Sequence, residues 1–410
     1  MGNLMKVSKI NRYDILLFVL ILCTAGGMWG GAFKPARVFS IFFAIPLFLS
    51  YRKVKIGLIK EVFLFLIFLI TWSLASLLWS PSAALGLSEW GNMVLRILFF
   101  LELVVFGVLS KNALTTMING WSIAFFITAL IAVWELNTGN HLDITNYVEG
   151  DENINLGGRN VIVRQFAAAT FYNYNGYVTY VCYCLPFLLS LAFRWTKGMK
   201  QLLAAIPVAL VLYIFVLNAS RGGIMGFFVF AAVFSYFKLS GSRFSIKVTF
   251  LVLLAVVAIV FAYFWDLMSF YLEYRMETGG MSSSRFQIWS CCWNALLESG
   301  FIGCGIGGVM DSLIKQHAHI PQPHNFFIEV LLEFGVIAFI WMIILMWKAF
   351  RMGRKCKDIA AKYIRISSII AIPFITMIDS GYVQDIGIWA FWGSLLVLNI
   401  IIRKMNSINA

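Results

Sequence analysis

Apolar runs of roughly 16 to 24 residues recur along the whole of this 410-residue chain, and no other feature constrains its fold as tightly. Inside a bilayer a backbone N–H or C=O finds no water, so each crossing segment must satisfy its own hydrogen bonds. Runs of this length do so as helices. The sequence predicts about twelve spans, near 14–31, 36–51, 62–79, 91–109, 117–136, 169–193, 201–218, 222–239, 246–265, 325–347, 366–380 and 384–402. Composition agrees: 61% of residues are hydrophobic and 12% charged, about half the charged share of an average soluble domain. The expected fold is all-α, a polytopic membrane protein forming a single integral-membrane domain over 1–410. Ile15 to Leu22 could pass for the core of a cleavable signal peptide, but the run continues and a second span follows, so none is expected.

Lysine and arginine orient such a bundle, because they stay on the cytoplasmic side. With the N-terminus inside, 23 of them fall in cytoplasmic segments and eight in outer segments, while Arg96 sits within the fourth span. Both termini are therefore expected in the cytoplasm. The net charge of +13 reads as a topology signal with some attraction to anionic membrane lipids, and not as a nucleic-acid footprint.

Two outer segments are long, 137–165 and 266–323, and loops of that length tend to be functional or disordered. The second lies between spans nine and ten and carries folding signals. In "SSSRFQIWSCCWNALLESG" the apolar residues Phe286, Trp289, Cys292, Trp293, Leu296 and Leu297 follow helical spacing. The expected element is an amphipathic helix on or under the outer membrane surface, within a partly helical, catalytic 266–323 loop. Cys291, Cys292 and Cys304 share that loop, so one disulfide there is an open reading. No cysteine or histidine spacing suggests zinc, and the glycines of "GFIGCGIGGV" follow no strand, which leaves a dinucleotide reading weak.

Outer arginines are the minority, so each asks for a reason. Arg285 stands in the first turn of the loop helix, where a cation opposes the helix dipole unless an anion is near. Arg221, in "LNASRGGIMG", stands in a tight outer turn. Both also fit simple snorkelling toward lipid phosphate. His324 follows Pro321 and Pro323 and opens the tenth span, where the positive end of the dipole disfavours imidazolium. A neutral ring there can act as a general base, or can merely help cap the helix beside Asn325. Glu329 and Glu333, one turn apart, could contact an acceptor or an arginine, or could serve as partners within the bundle. Asp14, Arg96, Glu102 and Asp379 are further charges within predicted spans. Clustered, they would suggest a transporter; the sequence scatters them, so transport of a lipid-linked or small solute is the weaker alternative.

Three stretches together resemble the O-antigen ligase-like superfamily of bacterial inner-membrane proteins, which spans O-antigen ligases, O-antigen and exopolysaccharide polymerases, and protein O-oligosaccharyltransferases. They are "NASRGG" (218–223), "SSRFQIW" leading to "GFIGCGIGG" (283–308), and "PHNFFIEVLLEFG" (323–335). "TFYNYNGYVTYVCYCLPFLL" is similar to that family's entry to its sixth span. The family's His, then Asn, Ser or Gln, then nine residues and Gly is met by His324, Asn325 and Gly335. The chain departs from the ligases at Ala338, where they carry Gly, Thr or Tyr. The resemblance implies a glycosyltransferase that takes its glycan from undecaprenyl diphosphate at the periplasmic face of the inner membrane. It implies that Arg221 and Arg285 bind the diphosphate and that His324 activates the acceptor, with Asn325, Glu329 and Glu333 supporting. The acceptor would be the lipid A core for a ligase, or a second lipid-linked glycan for a polymerase, in lipopolysaccharide or surface polysaccharide biosynthesis. Inversion at the anomeric carbon, with no metal and no cofactor, follows from the same comparison.

Overall fold

The computed structural model describes residues 9–54, 57–143, 153–156, 159–162, 166–194, 203, 205–218, 220–239 and 283–408. The elements in chain order are α1 (Arg12–Cys23), α2 (Pro35–Tyr51), α3 (Gly57–Ala75), α4 (Ala83–Leu109), α5 (Ala113–Thr138), the strands β1 (Asn153–Leu156) and β2 (Arg159–Ile162), α6 (Tyr174–Arg194), α7 (Ile206–Leu217), α8 (Arg221–Leu239), α9 (Ser283–Glu298), α10 (Val309–Lys315), α11 (Phe326–Met352), α12 (Ile359–Ile375) and α13 (Ile386–Ile408). It is an all-α bundle. Among the described residues the only sheet is the antiparallel β1–β2 pair, within the first long outer segment, with Asn153 opposite Ile162.

Among the described residues, six helices are long and apolar enough to cross a membrane: α3 (extended to Leu78), α4, α5, α6, α11 and α13; α2 and α7 are shorter apolar helices. Eleven of the twelve expected spans coincide with described helices, and the ninth, 246–265, lies outside the described residues. The core is built around α4 and α6. α4 packs against α13, α2 and α1, and α6 against α5, α12 and α8. A ladder of buried aromatics on α6, Tyr177, Tyr180 and Tyr183, fills the centre, and Trp121 of α5 stacks on Phe187 while its indole donates to Ser394. Asp14 is not a solute site: it forms a capping box with Asn11 at the start of α1 and accepts the Asn112 N–H.

The second outer loop is folded from Ser283 onward, as α9, a glycine-rich turn and α10. Ile288, Cys292, Ala295 and Leu296 pack against Cys304, Leu313 and Leu332, whereas Phe286, Trp293 and Leu297 are exposed. The helix carries two apolar faces, and the one at i, i+4, i+7, i+8 from Ile288 is the one the protein covers. All seven cysteines are free thiols, Cys291, Cys292 and Cys304 included.

α11 breaks at Gly335, and the break is what seats that loop. Gly335 adopts φ 81°, ψ 177°, a region essentially closed to residues with a side chain. The carbonyls freed there are taken by the turn after α9: Cys304 N–H donates to Leu332 O at 2.7 Å and Gly305 N–H to Glu333 O at 3.1 Å, while Val336 N–H donates to Phe301 O at 3.0 Å. A Cβ on Gly335 would stand 2.4 Å from the Ile302 carbonyl oxygen, and one on Gly303 would stand 2.6 Å from the Gly335 nitrogen. The indoles of Trp72 and Trp79 add bonds to the carbonyls of Phe334 and Gly303.

Candidate functional site

The N-terminus of α11 organises the loop end of the bundle. Asn325 is its N-cap, its side-chain oxygen accepting the N–H groups of Phe327 at 2.9 Å and Ile328 at 3.2 Å. Before it, His324 sits at φ 48°, unusual for a residue with a Cβ. Two bonds hold that conformation. His324 N–H donates to the Ser380 hydroxyl at 2.8 Å, and Phe326 N–H donates to the Thr376 carbonyl at 3.0 Å. The turn after α12 is thus bound to the first residues of α11.

Glu329 fastens the same turn one helical step further on. Buried, it accepts the N–H groups of Gly381 and Val383, each at 2.9 Å. Glu333, also buried, accepts a long 3.4 Å bond from Gly307 N–H. Of the two readings the sequence left open, the first carboxylate has a partner inside the bundle; both also line a cavity.

Arg285 reaches His324 through α9. The Trp289 indole N–H donates to the Pro323 carbonyl at 3.0 Å, and Arg285 is one turn before Trp289 on the same helix face. Burial pushes the His324 imidazole down to about 4, and the Arg285 charge adds to that effect, so the ring is neutral at neutral pH. Its Nδ1 is buried with no hydrogen-bond partner. Arg221 is the first residue of α8, and its neighbour Gly222 packs on Ile378 in the Thr376–Gly381 turn that also supplies Ser380. Asn218 pins the chain before it, exchanging two hydrogen bonds with the backbone of Ala167.

Beside this cluster opens a cavity of about 430 Å³. Its lining includes Pro323, Ser380, Glu329 and Glu333, the cations Lys34, Arg37 and Arg96, and the carboxylates Glu89, Asp379 and Asp385. His324, Arg285 and Arg221 are not among its lining residues; His324 lies next to two that are, Pro323 before it in the chain and Ser380, whose hydroxyl accepts its N–H. Arg96 and Asp379, expected to be scattered, both line this cavity, Arg96 from the middle of α4 and Asp379 from the turn after α12. Glu102 does not line it. Burial, with repulsion from Arg37 and Arg96, lowers the Lys34 ammonium to about 8.

Sequence reasoning passed over Lys34, Arg37, Ser380 and Asp385. A signal existed for the first two, which belong to the cationic minority on the outer side. Nothing in the sequence singles out Ser380 or Asp385, whose role depends on a turn meeting α11.

On the other side of α11, Val330 and Phe334 face an apolar groove of about 140 Å³ lined also by Phe65, Phe100, Phe326 and Trp392. A helical bundle of this kind, with helices long and apolar enough to cross a membrane, defines a polytopic membrane protein. The comparison with known families is more specific. Residues 206–343, about a third of the chain, are similar to the family model described as O-Antigen ligase. The matched stretch contains Arg221, Arg285, His324, Asn325, Glu329 and Glu333. No curated protein matches the chain.

Proposed function

We propose that this protein transfers a glycan from an undecaprenyl-diphosphate-linked donor to an acceptor hydroxyl at the periplasmic face of the bacterial inner membrane. The observation that carries the reading is the neutral His324 with an unpaired buried Nδ1, held within reach of the Arg285 charge. An anion at Arg285 and a proton acceptor at His324 are what displacement at a glycosyl phosphate requires. The acceptor oxygen attacks the anomeric carbon and gives its proton to the imidazole. The C–O bond to phosphate breaks, and the leaving diphosphate takes the electron pair, with Arg285 and Arg221 stabilising its charge through forked hydrogen bonds. A single displacement inverts the anomeric centre. The diphosphate arrives already charged and the arginines supply the countercharge, so the proposed step runs through side chains alone, without metal or cofactor.

A pKa near 4 makes His324 neutral but a feeble base. The donor corrects this. A diphosphate seated against Arg285 cancels part of the charge that depresses the imidazole, so basicity rises when the substrate is in place. The apolar groove beyond α11 suits the isoprenoid tail of such a donor.

Ligase action, with the lipid A core as acceptor, is the first reading, from the His324–Gly335 spacing. The departure at Ala338 favours a polymerase joining lipid-linked repeats as the second. A deletion strain decides between them: long chains left on the carrier mean ligase, and a core carrying one repeat means polymerase. Arg221→Ala, Arg285→Ala and His324→Ala should each abolish surface glycan while the protein still inserts. Wild-type glycan in any of them removes that residue from the scheme.

A further inference from the structure

Three cations, Lys34, Arg37 and Arg96, line the cavity with Glu89 beside them, and the transfer scheme does not use them. Arg37 Nη2 donates to Asn92 Oδ1 at 2.6 Å, and Asn92 is one turn before Arg96 on α4. The two guanidinium groups are therefore neighbours, and Lys34, the residue before α2, joins them at the cavity wall. Glu89 and Asp385, which line the same cavity, offset part of this charge. Arg96 is 8% exposed, yet its Nε and Nη1 have no hydrogen-bond partner. Asp385 is the carboxylate set against it, but its oxygens already accept the N–H groups of Gly387 at 2.9 Å and Ile388 at 3.2 Å at the start of α13. Among the described residues no salt bridge joins Arg96 to a carboxylate. A buried guanidinium with open donors is costly to keep unless something fills them for part of the working cycle.

We infer that Lys34, Arg37 and Arg96 form a second anion subsite, which takes a carboxylate or phosphate group carried by the acceptor glycan. The assignment to the acceptor rests on the transfer reading above. With the donor diphosphate at Arg221 and Arg285, on α8 and α9, the cations at α2 and α4 are left for the other reactant. Planar guanidinium groups suit either anion, since both offer paired oxygens to a forked donor.

The test uses the full-length protein in nanodiscs of phosphatidylcholine, carrying Arg221→Gln and Arg285→Gln so that neither donor-side arginine contributes. Glucuronate, glucose 6-phosphate and glucose are titrated separately, with binding read by saturation-transfer NMR. At least one anionic sugar should bind more tightly than glucose. Adding Arg96→Gln should weaken it by about tenfold or more, and Arg96→Lys should restore part of the loss. Preference for glucuronate identifies an acidic sugar as the natural group, and preference for glucose 6-phosphate a phosphorylated one; either supports the subsite. Equal binding of all three sugars, or no change on Arg96→Gln, overturns it. Should Arg96→Gln fail to fold, Arg37→Gln serves the same comparison. The readout involves no transfer, so the subsite can fail with the enzyme reading intact. Equally, normal surface glycan in the arginine single variants would sink the enzyme reading and leave the subsite standing.

Discussion

The Trp289 indole N–H donates to the Pro323 carbonyl at 3.0 Å, so the helix that carries Arg285 is tied to the residue that precedes His324. One bond thus sets the spacing of two proposed site residues that are 39 positions apart. Trp289→Phe keeps an aromatic ring and removes the donor. The folded protein should lose on the order of 1 kcal/mol, the net worth of one such bond. Transfer should suffer more, roughly tenfold in kcat, since small displacements at a reacting centre are expensive. Unaltered turnover with an unaltered melting temperature would show that Arg285 and His324 are positioned without this link.

The pH dependence follows from the depressed imidazole. His324 has an ordinary value near 6.5 when unfolded and about 4 when folded. Between those values the unfolded chain takes up a proton that the folded one refuses, so this residue's contribution to stability declines as pH falls from about 6.5 to about 4. Activity divides differently. The acid limb of kcat/KM, which reports the free enzyme, should lie near pH 4, and that of kcat should lie higher, because bound diphosphate offsets Arg285. Arg285→Gln should move the kcat/KM limb upward. Coincident limbs in wild type and variant would remove the coupling.

Glu329 makes two bonds to the Gly381 and Val383 N–H groups, and the turn they belong to presents Ser380 to His324. Glu329→Gln replaces one acceptor oxygen by an NH₂ that faces a donor. An unsatisfied buried donor pair costs about 1–3 kcal/mol, so thermal unfolding in detergent should move down by several degrees. Glu329→Ala should lower it further and should also lose activity, since the Ser380 turn comes adrift. If Glu329→Gln keeps its melting temperature and loses transfer, the carboxylate acts on substrate and not on the turn.

Much of this arrangement was legible in the sequence, and the boundary has physical causes. Apolar run length located the helices because each span satisfies its own backbone, independent of its neighbours. The site was partly legible, since minority outer charges and a His–Asn pair before an apolar run are local signals. Arg96 was seen as a lone intramembrane charge and Asp379 as another, because their sharing one cavity depends on how the helices pack. Which stripe of α9 the protein covers was not legible for a similar reason. Its sequence offers two apolar faces, and only the packing with Leu313 and Leu332 decides which is covered.

Gly335 is the position where the family-like spacing and the structure meet most sharply. The spacing from His324 places it three turns into α11, where the helix opens to accept the Phe301–Gly305 turn. Gly335→Ala sets a Cβ 2.4 Å from the Ile302 carbonyl oxygen, at a backbone conformation that only glycine occupies readily. Backbone strain of about 1–3 kcal/mol and overpacking of similar size then add. The loss should appear as poor insertion and rapid degradation, and as exposure of Cys304, now buried behind that turn, to a membrane-impermeant maleimide. Gly→Ala at Gly31, where an added Cβ meets nothing within 4 Å, is the control, and it should be tolerated far better despite its positive φ. Equal expression and equal labelling of the two variants would mean that the break in α11 does not hold the catalytic loop.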